Sequence, residues 1–327
     1  MSPRLAWMGA ILGMFLALST GFQPAAVAYP ANSVGDTRSV RQPGLAVGTD
    51  PACVVGWGDP DTSFERSILS SVVSFGAEAW AVGLTTESED PRFPLAVRWD
   101  GHAWVKMPIA SSRQERALFG LDRSPTGRMW AVGYHTRSTP YYPMLMRWDR
   151  SQSEWVVSPL GAIGSRAGAL LSVRAKSDAI TWAVGYKIGK SGQRPMAIRR
   201  IGTTWRDDSP HAASAATGVL MDIDALTSTD AWAVGWLADR GAPQPYLAHW
   251  NGKRWTTGRP VLSGSEGAFI SVAMVSAHNV WAVGYRVVGG VYRPSVQRWD
   301  GHRWRLIPFP SVHAGVGVLR GVQIGSD

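Results

Sequence analysis

The chain of 327 residues holds a single cysteine, Cys53. No intramolecular disulfide can staple it, so stability must come from packed side chains. Cys53 reads as a buried, inert thiol. Charge is sparse as well: 17% of residues are Asp, Glu, Lys or Arg, and no run of five or more Lys/Arg occurs. That argues against a basic nucleic-acid arm and against sequence-specific nucleic-acid binding. The seven histidines include no i,i+2 or i,i+4 pair, so no local metal-ligand pair is visible. G-x-S-x-G, H-E-x-x-H and P-loop motifs are missing. No cofactor, no metal site and no catalytic residue is therefore expected. Beyond the first residues no apolar run is long enough to span a bilayer.

What is present begins with Arg4, an apolar run of 14 residues from Leu5 to Leu18, and Ala26-Val27-Ala28. This order predicts a secretory signal peptide over 1–28. A flexible segment over 29–43 follows, and the expected location is extracellular. Lys and Arg exceed Asp and Glu by nine. That excess suits acidic partners as well as a diffusely cationic soluble surface.

A five-residue phrase organises the rest. It occurs as AWAVG, MWAVG, TWAVG, AWAVG and VWAVG, with Trp80, Trp130, Trp182, Trp232 and Trp281 at intervals of 50, 52, 50 and 49 residues. Such a period marks a repeat architecture. The last copy reads as four short strands: Phe269–Val275, Val280–Val287, Ser295–Trp299 and Arg303–Pro308, with an Asp300-Gly301 hairpin turn. Four antiparallel strands per unit is the make-up of a β-propeller blade. The fold class is all-β, a propeller of four-stranded antiparallel blades.

Repeat cores are expected at about 69–117, 118–169, 170–218, 219–267 and 268–316 within a propeller spanning 44–327. The spacing predicts six blades, the last a composite of 44–64 and 319–327. In that alignment Leu45 stands in the Trp position. A rival alignment sets Cys53–Trp57 against Trp232–Trp236, and an incomplete ring is the third possibility.

Each recurring Trp is expected to pack between blades. The residue before the third-strand Trp position is basic in every copy: Arg98, Arg147, Arg199, His249 and Arg298. Its recurrence favours a structural stack over a ligand ring. Function is sought where the copies differ, in the loops joining second to third strands. Those loops carry Arg92, Arg137, Tyr141, Tyr142, Arg194, Arg240, Tyr292 and Arg293. Cations and tyrosines there suit an anionic or sugar ligand. The non-recurring acids Glu87, Glu89, Asp90, Asp207, Asp208, Asp239 and Glu266 are the candidates for an opposed carboxylate pair.

WAVG followed about 18 residues later by W-D/N-G-x-x-W and Pro resembles the WAVG-repeat propellers of secreted actinobacterial and Chloroflexi proteins. It is similar, more distantly, to kelch and galactose-oxidase-type propellers. The resemblance covers about 69–310 and implies the fold rather than an activity. Arg200 and Ile201 depart from it in the third copy. The sequence expectation is a secreted, monomeric, non-enzymatic binding module for an extracellular glycan, wall polymer or protein. A carbohydrate-active hydrolase or lyase is the alternative.

Overall fold

The computed structural model describes residues 67–86, 92–110, 115–136, 139–211, 216–239, 241–261, 265–309 and 317–324. By its contacts the chain divides between Phe64 and Glu65, and all described residues belong to the second unit.

Among the described residues that unit is built of strands, with one 3-10 turn at Gly161–Ile163. The first blade is β1 (Ser67–Phe75), β2 (Glu78–Thr86), β3 (Arg92–Trp99) and β4 (Trp104–Lys106). The second is β5 (Glu115–Arg123), β6 (Met129–Thr136), β7 (Tyr142–Asp149) and β8 (Glu154–Val157). The third is β9 (Gly168–Ala175), β10 (Thr181–Gly189), β11 (Gly192–Ile201) and β12 (Thr204–Asp207). The fourth is β13 (Thr217–Thr227), β14 (Asp230–Ala238), β15 (Gln244–Trp250) and β16 (Trp255–Thr257). The fifth is β17 (Gly267–Ser276), β18 (Asn279–Val288), β19 (Val291–Trp299) and β20 (Trp304–Ile307). Each is a four-stranded antiparallel sheet in simple up-and-down order. The first strand of each blade packs against the first strand of the next.

The WAVG phrase is the second strand of every blade, and its glycine has a defined task. The first strand bulges at the same place in all five copies, skipping one residue beside that glycine. The bulge presses a first-strand carbonyl against the glycine. A Cβ on Gly83 would lie 1.8 Å from the Ile68 oxygen, and one on Gly133 would lie 1.8 Å from the Ala117 oxygen. Any side chain there would expel the bulge.

Four of the five WAVG tryptophans, Trp80, Trp130, Trp182 and Trp232, meet tryptophans of the next blade, while Trp281 of the fifth blade is half-buried. Trp80 meets Trp148 of the second blade edge-on at 5.0 Å and Trp155 at 6.2 Å. Trp182 meets Trp250 and Trp255, each at 5.4 Å. Trp232 meets Trp299 at 5.5 Å and Trp304 at 5.1 Å. Most of these are the edge-to-face geometries that aromatic quadrupoles favour. Opposite the Trp wedge, the next blade supplies two first-strand residues, such as Leu118 and Leu121, to the shared core.

The basic residue before the third-strand Trp position stacks on its own blade's WAVG ring in four copies. Arg98 lies 5.9 Å from the Trp80 centroid, Arg199 5.3 Å from Trp182, Arg298 5.5 Å from Trp281, and His249 stacks on Trp232 at 4.5 Å. Arg147 reaches Asp149 at 2.9 Å. Four of the five recurring basic residues are thus packing contacts, and the fifth is an ion pair.

The blade count differs from the expectation of six. Five four-stranded sheets are present among the described residues. Residues 317–324 form no strand, because a strand is held by a ladder and no second strand among the described residues pairs with them. They lie along the fifth blade, where Leu319 N–H donates to the Gly284 oxygen at 3.2 Å and Val322 N–H to Ser271 Oγ at 3.3 Å. The other proposed part of a composite blade, 44–64, lies outside the described residues, as do the signal-peptide region 1–28 and Cys53.

Candidate functional site

In an up-and-down blade the hairpin joining second to third strand and the connector from the preceding blade emerge at one end. This end is a rim shared by all five sheets. The residue just past the WAVG glycine sits at its base: Leu84, Tyr134, Tyr186, Trp236 and Tyr285, all buried. Tyr134 packs on Phe119 at 5.7 Å and on Tyr141 at 4.5 Å. Tyr285 packs on Tyr292 at 5.0 Å. Burial pushes the Tyr186 phenol up to about 12, with neighbouring Tyr141 and Tyr134 adding to it. The Tyr285 phenol is raised too, first by burial and then by Tyr292 and Glu266. These phenols are neutral hydrogen-bonding groups at physiological pH.

Above this aromatic base lie the residues expected to bind a ligand. The structure puts most of them on strands rather than in loops. Tyr142 begins β7 and stacks on His135 at 5.7 Å. Arg92 begins β3. Arg194 lies in β11, opposite Lys187 in β10. Tyr292 and Arg293 lie in β19, opposite Val287 and Arg286. The reason is hairpin length: β10 and β11 are joined through Lys190-Ser191 and β18 and β19 through Gly289-Gly290, so ladder pairing runs out almost to the tip. Tyr141 precedes β7, and its carbonyl accepts from Gly168 N–H at 2.9 Å. Arg137 and Arg240 lie outside the described residues. The rim thus brings Tyr141, Tyr142 and Arg194 onto adjoining second and third blades, with Tyr292 and Arg293 on the fifth.

The acids are distributed differently. Asp207 holds Lys187 Nζ at 2.7 Å. Asp208 is held by Arg199 and Arg206, each at 3.0 Å. Both carboxylates are committed to ion pairs. Asp239 is exposed and Glu266 half-buried, while Glu87, Glu89 and Asp90 lie outside the described residues. Among the described residues no group of three or more His, Cys, Asp or Glu is arranged to hold a metal ion.

A second polar cluster, absent from the sequence expectations, lies on the first strands. Asp222 Oδ2 accepts from Val272 N–H at 2.9 Å and Ser271 Oγ at 2.8 Å, and its Oδ1 from Ser172 Oγ at 2.6 Å. Asp224 accepts from Met274 N–H at 2.7 Å and pairs with Arg174 at 2.8 Å. Asp122 accepts from Ala175 N–H at 2.7 Å and lies 3.8 Å from Arg174. Burial raises the pKa of Asp222 and of Asp122, against the donors that surround them. Each of these contacts crosses from one blade to another, so the cluster stitches blades together. Its sequence signal is the run Met221-Asp222-Ile223-Asp224, two acids alternating with apolar residues in a strand otherwise headed for the core.

No protein-family model and no curated protein matches the sequence. Among solved structures, a polysaccharide lyase of family PL25, an ulvan lyase bound to -[GlcA(1-4)Rha3S]-, superposes with a TM-score of 0.51 at 8% identity, over 76% of this chain and 68% of that one. A Bombyx mori GH32 β-fructofuranosidase, solved as a point mutant in complex with sucrose, gives a TM-score of 0.43 at 8% identity over 76% and 66%. The chain spans about two thirds of the length of each. The lyase likeness is one of fold and agrees with the propeller-type blades.

Proposed function

We propose that this is a secreted glycan-binding propeller, of the WAVG-repeat kind, that holds an extracellular polysaccharide on its rim. The observation that carries the reading is the placement of aromatic and cationic side chains at third-strand starts, at one end of successive blades. Tyr141 and Tyr142 offer faces on which sugar rings stack, and Arg194 offers planar hydrogen-bond donors for hydroxyl or acidic groups. A rigid sheet beneath them keeps the ordering cost of binding low. The excess of basic residues favours an acidic polymer and an electrostatically assisted encounter.

Titration of a panel of neutral and acidic polysaccharides at low salt tests this. We expect measurable binding that weakens at least about tenfold in a Tyr142→Ala/Arg194→Ala protein, a loss of about 1.4 kcal/mol. Binding that survives the double substitution would remove the site assignment.

The second reading is a hydrolase or lyase on the same scaffold, and the fold shared with the ulvan lyase supports it. The ion-paired state of Asp207 and Asp208 speaks for binding over hydrolysis, since a glycosidase needs two uncommitted carboxyl groups facing one bond. Release of reducing ends or of unsaturated sugar products from any bound polymer would reverse that preference.

A further inference from the structure

At the rim of the fifth blade two arginines oppose each other. Arg286 of β18 is the register partner of Arg293 of β19. Directly opposed residues project from the same face of a sheet, and like charges placed so repel each other. Arg286 Nε is buried and has no hydrogen-bond partner, and no carboxylate among the described residues is ion-paired with either arginine.

The third blade shows what the fold does when it neutralises the same position. Lys187 and Arg194 occupy the equivalent register pair. There Lys187 Nζ bonds Asp207 Oδ2 at 2.7 Å and Ser209 Oγ at 3.1 Å, both from the fourth-strand side. Burial alone would raise the Asp207 pKa, but the bonds from Lys187 and Ser209 outweigh it and hold the carboxylate ionised. Aligning the fourth strands on Trp205 and Trp304 sets Asp207 against Leu306 and Ser209 against Pro308. The fifth blade has a cation at both positions but apolar residues where the third has its anion and hydroxyl.

The geometry points to an oxyanion-binding notch at Arg286 and Arg293 that takes a sulfate or carboxylate group of an acidic polysaccharide. Two guanidinium groups suit such a group because each can donate a pair of parallel hydrogen bonds to it. The ligand then does in the fifth blade what Asp207 does in the third. This inference rests on the glycan-binding reading and adds to it the anionic group recognised and Arg286, a partner for Arg293 that the sequence expectations did not include.

Calorimetric titration with dextran sulfate, polygalacturonate and neutral dextran tests it and separates sulfate from carboxylate recognition. Two variants are compared with the unaltered chain, each checked for an unchanged melting temperature: Arg286→Gln/Arg293→Gln, and Leu306→Asp, which installs the third blade's carboxylate. We expect one or both polyanions to bind the unaltered chain. Affinity should fall at least tenfold in both variants, and neutral dextran should show no difference. Equal polyanion affinity in all three proteins, or no polyanion binding to the unaltered chain, would overturn the notch. Loss of binding in Tyr142→Ala/Arg194→Ala alone would leave the glycan reading standing and remove the fifth-blade notch. Loss in the Arg286/Arg293 and Leu306 variants alone would keep the notch and remove the Tyr142/Arg194 site assignment.

Discussion

The leading face of the first blade and the same face of the four blades after it carry one residue pattern in two environments. The first-strand residue in register with the WAVG glycine is Leu69, Leu118, Leu170, Leu220 or Phe269. It is 51% exposed at Leu69 and fully buried in the other four. The residue in register with the WAVG alanine behaves alike: Val72 is 66% exposed, whereas Leu121, Val173, Ile223 and Val272 are buried. At the other end of the series Trp281 is half-buried, while Trp182 is fully enclosed. The repeat therefore carries half a joint on each face. The apolar pair on one blade becomes core only when the Trp wedge of the blade before it arrives, and stability is shared between neighbours.

The largest effect expected follows directly. Leu118→Ala should cost about 2–5 kcal/mol, the range for emptying a packed leucine site. Leu69→Ala should stay within about 0.5 kcal/mol, as exposed positions do. Urea unfolding of the two variants measures both. If Leu69→Ala cost as much as Leu118→Ala, the first blade's leading face would be covered in solution and the contrast would collapse.

The joints also differ along their depth, apolar at the Trp wedge and polar at the first strands. Asp222 sharpens this. Its folded pKa is raised above the ordinary 3.8 by burial. A raised carboxyl pKa means that the protonated form is favoured in the folded state. Its contribution to stability is then full below about the unfolded value of 3.9 and is lost as pH climbs through the folded value. Asp122 is shifted in the same direction. Asp222→Asn, which cannot ionise, should flatten the decline in stability above that point. Melting curves collected from pH 4 to pH 7 would show it, and an unaltered pH slope would mean that Asp222 is not the titrating group.

How much of this was legible beforehand depended on whether the signal recurred. The WAVG phrase located the second strand of every blade, because a bulge that needs a glycine recurs wherever the blade recurs. The W-D/N-G-x-x-W hairpin was equally plain: the Asp300 carboxylate caps the turn by accepting from His302 and Arg303 N–H. The site was less legible. Arg194 and Arg293 read as loop residues because Pro195 and Pro294 follow them and glycines crowd the turns, whereas the ladder continues through both prolines to the tip. Asp122 and Asp224 escaped notice because they share one register position, opposite the WAVG Trp, that only the second and fourth blades fill with an acid; Val73, Arg174 and Ala273 stand there in the others, and Asp222 occurs once. The aromatic after the WAVG glycine recurs in four copies and could have been found by extending the repeat by one residue.

The smallest expected effect concerns the joint between the second and third blades, where Arg200 stands in for tryptophan. Its guanidinium lies 5.5 Å from the Trp130 ring, while Trp205 keeps its edge-on place at 5.5 Å. Arg200 also donates to the Asp178 carbonyl, and Asp178 in turn accepts from Ser124 and Thr126 of the second blade. A cation over a ring contributes about 0.5–2 kcal/mol, and an aromatic pair about 0.5–1.5 kcal/mol beyond its burial. Arg200→Trp therefore exchanges one ring contact for another of similar size and adds apolar burial. It also removes a hydrogen bond whose net worth is about 0.5–1.5 kcal/mol. The opposing contributions should leave stability within about 1 kcal/mol of the unaltered chain, given those ranges. Arg200→Ala, which loses both contacts and gains neither, should cost more. A double-mutant cycle with Trp130→Leu isolates the ring contact. Zero coupling between positions 200 and 130 would show that this joint is held by the Asp178 network alone and is built on a different principle from the other three.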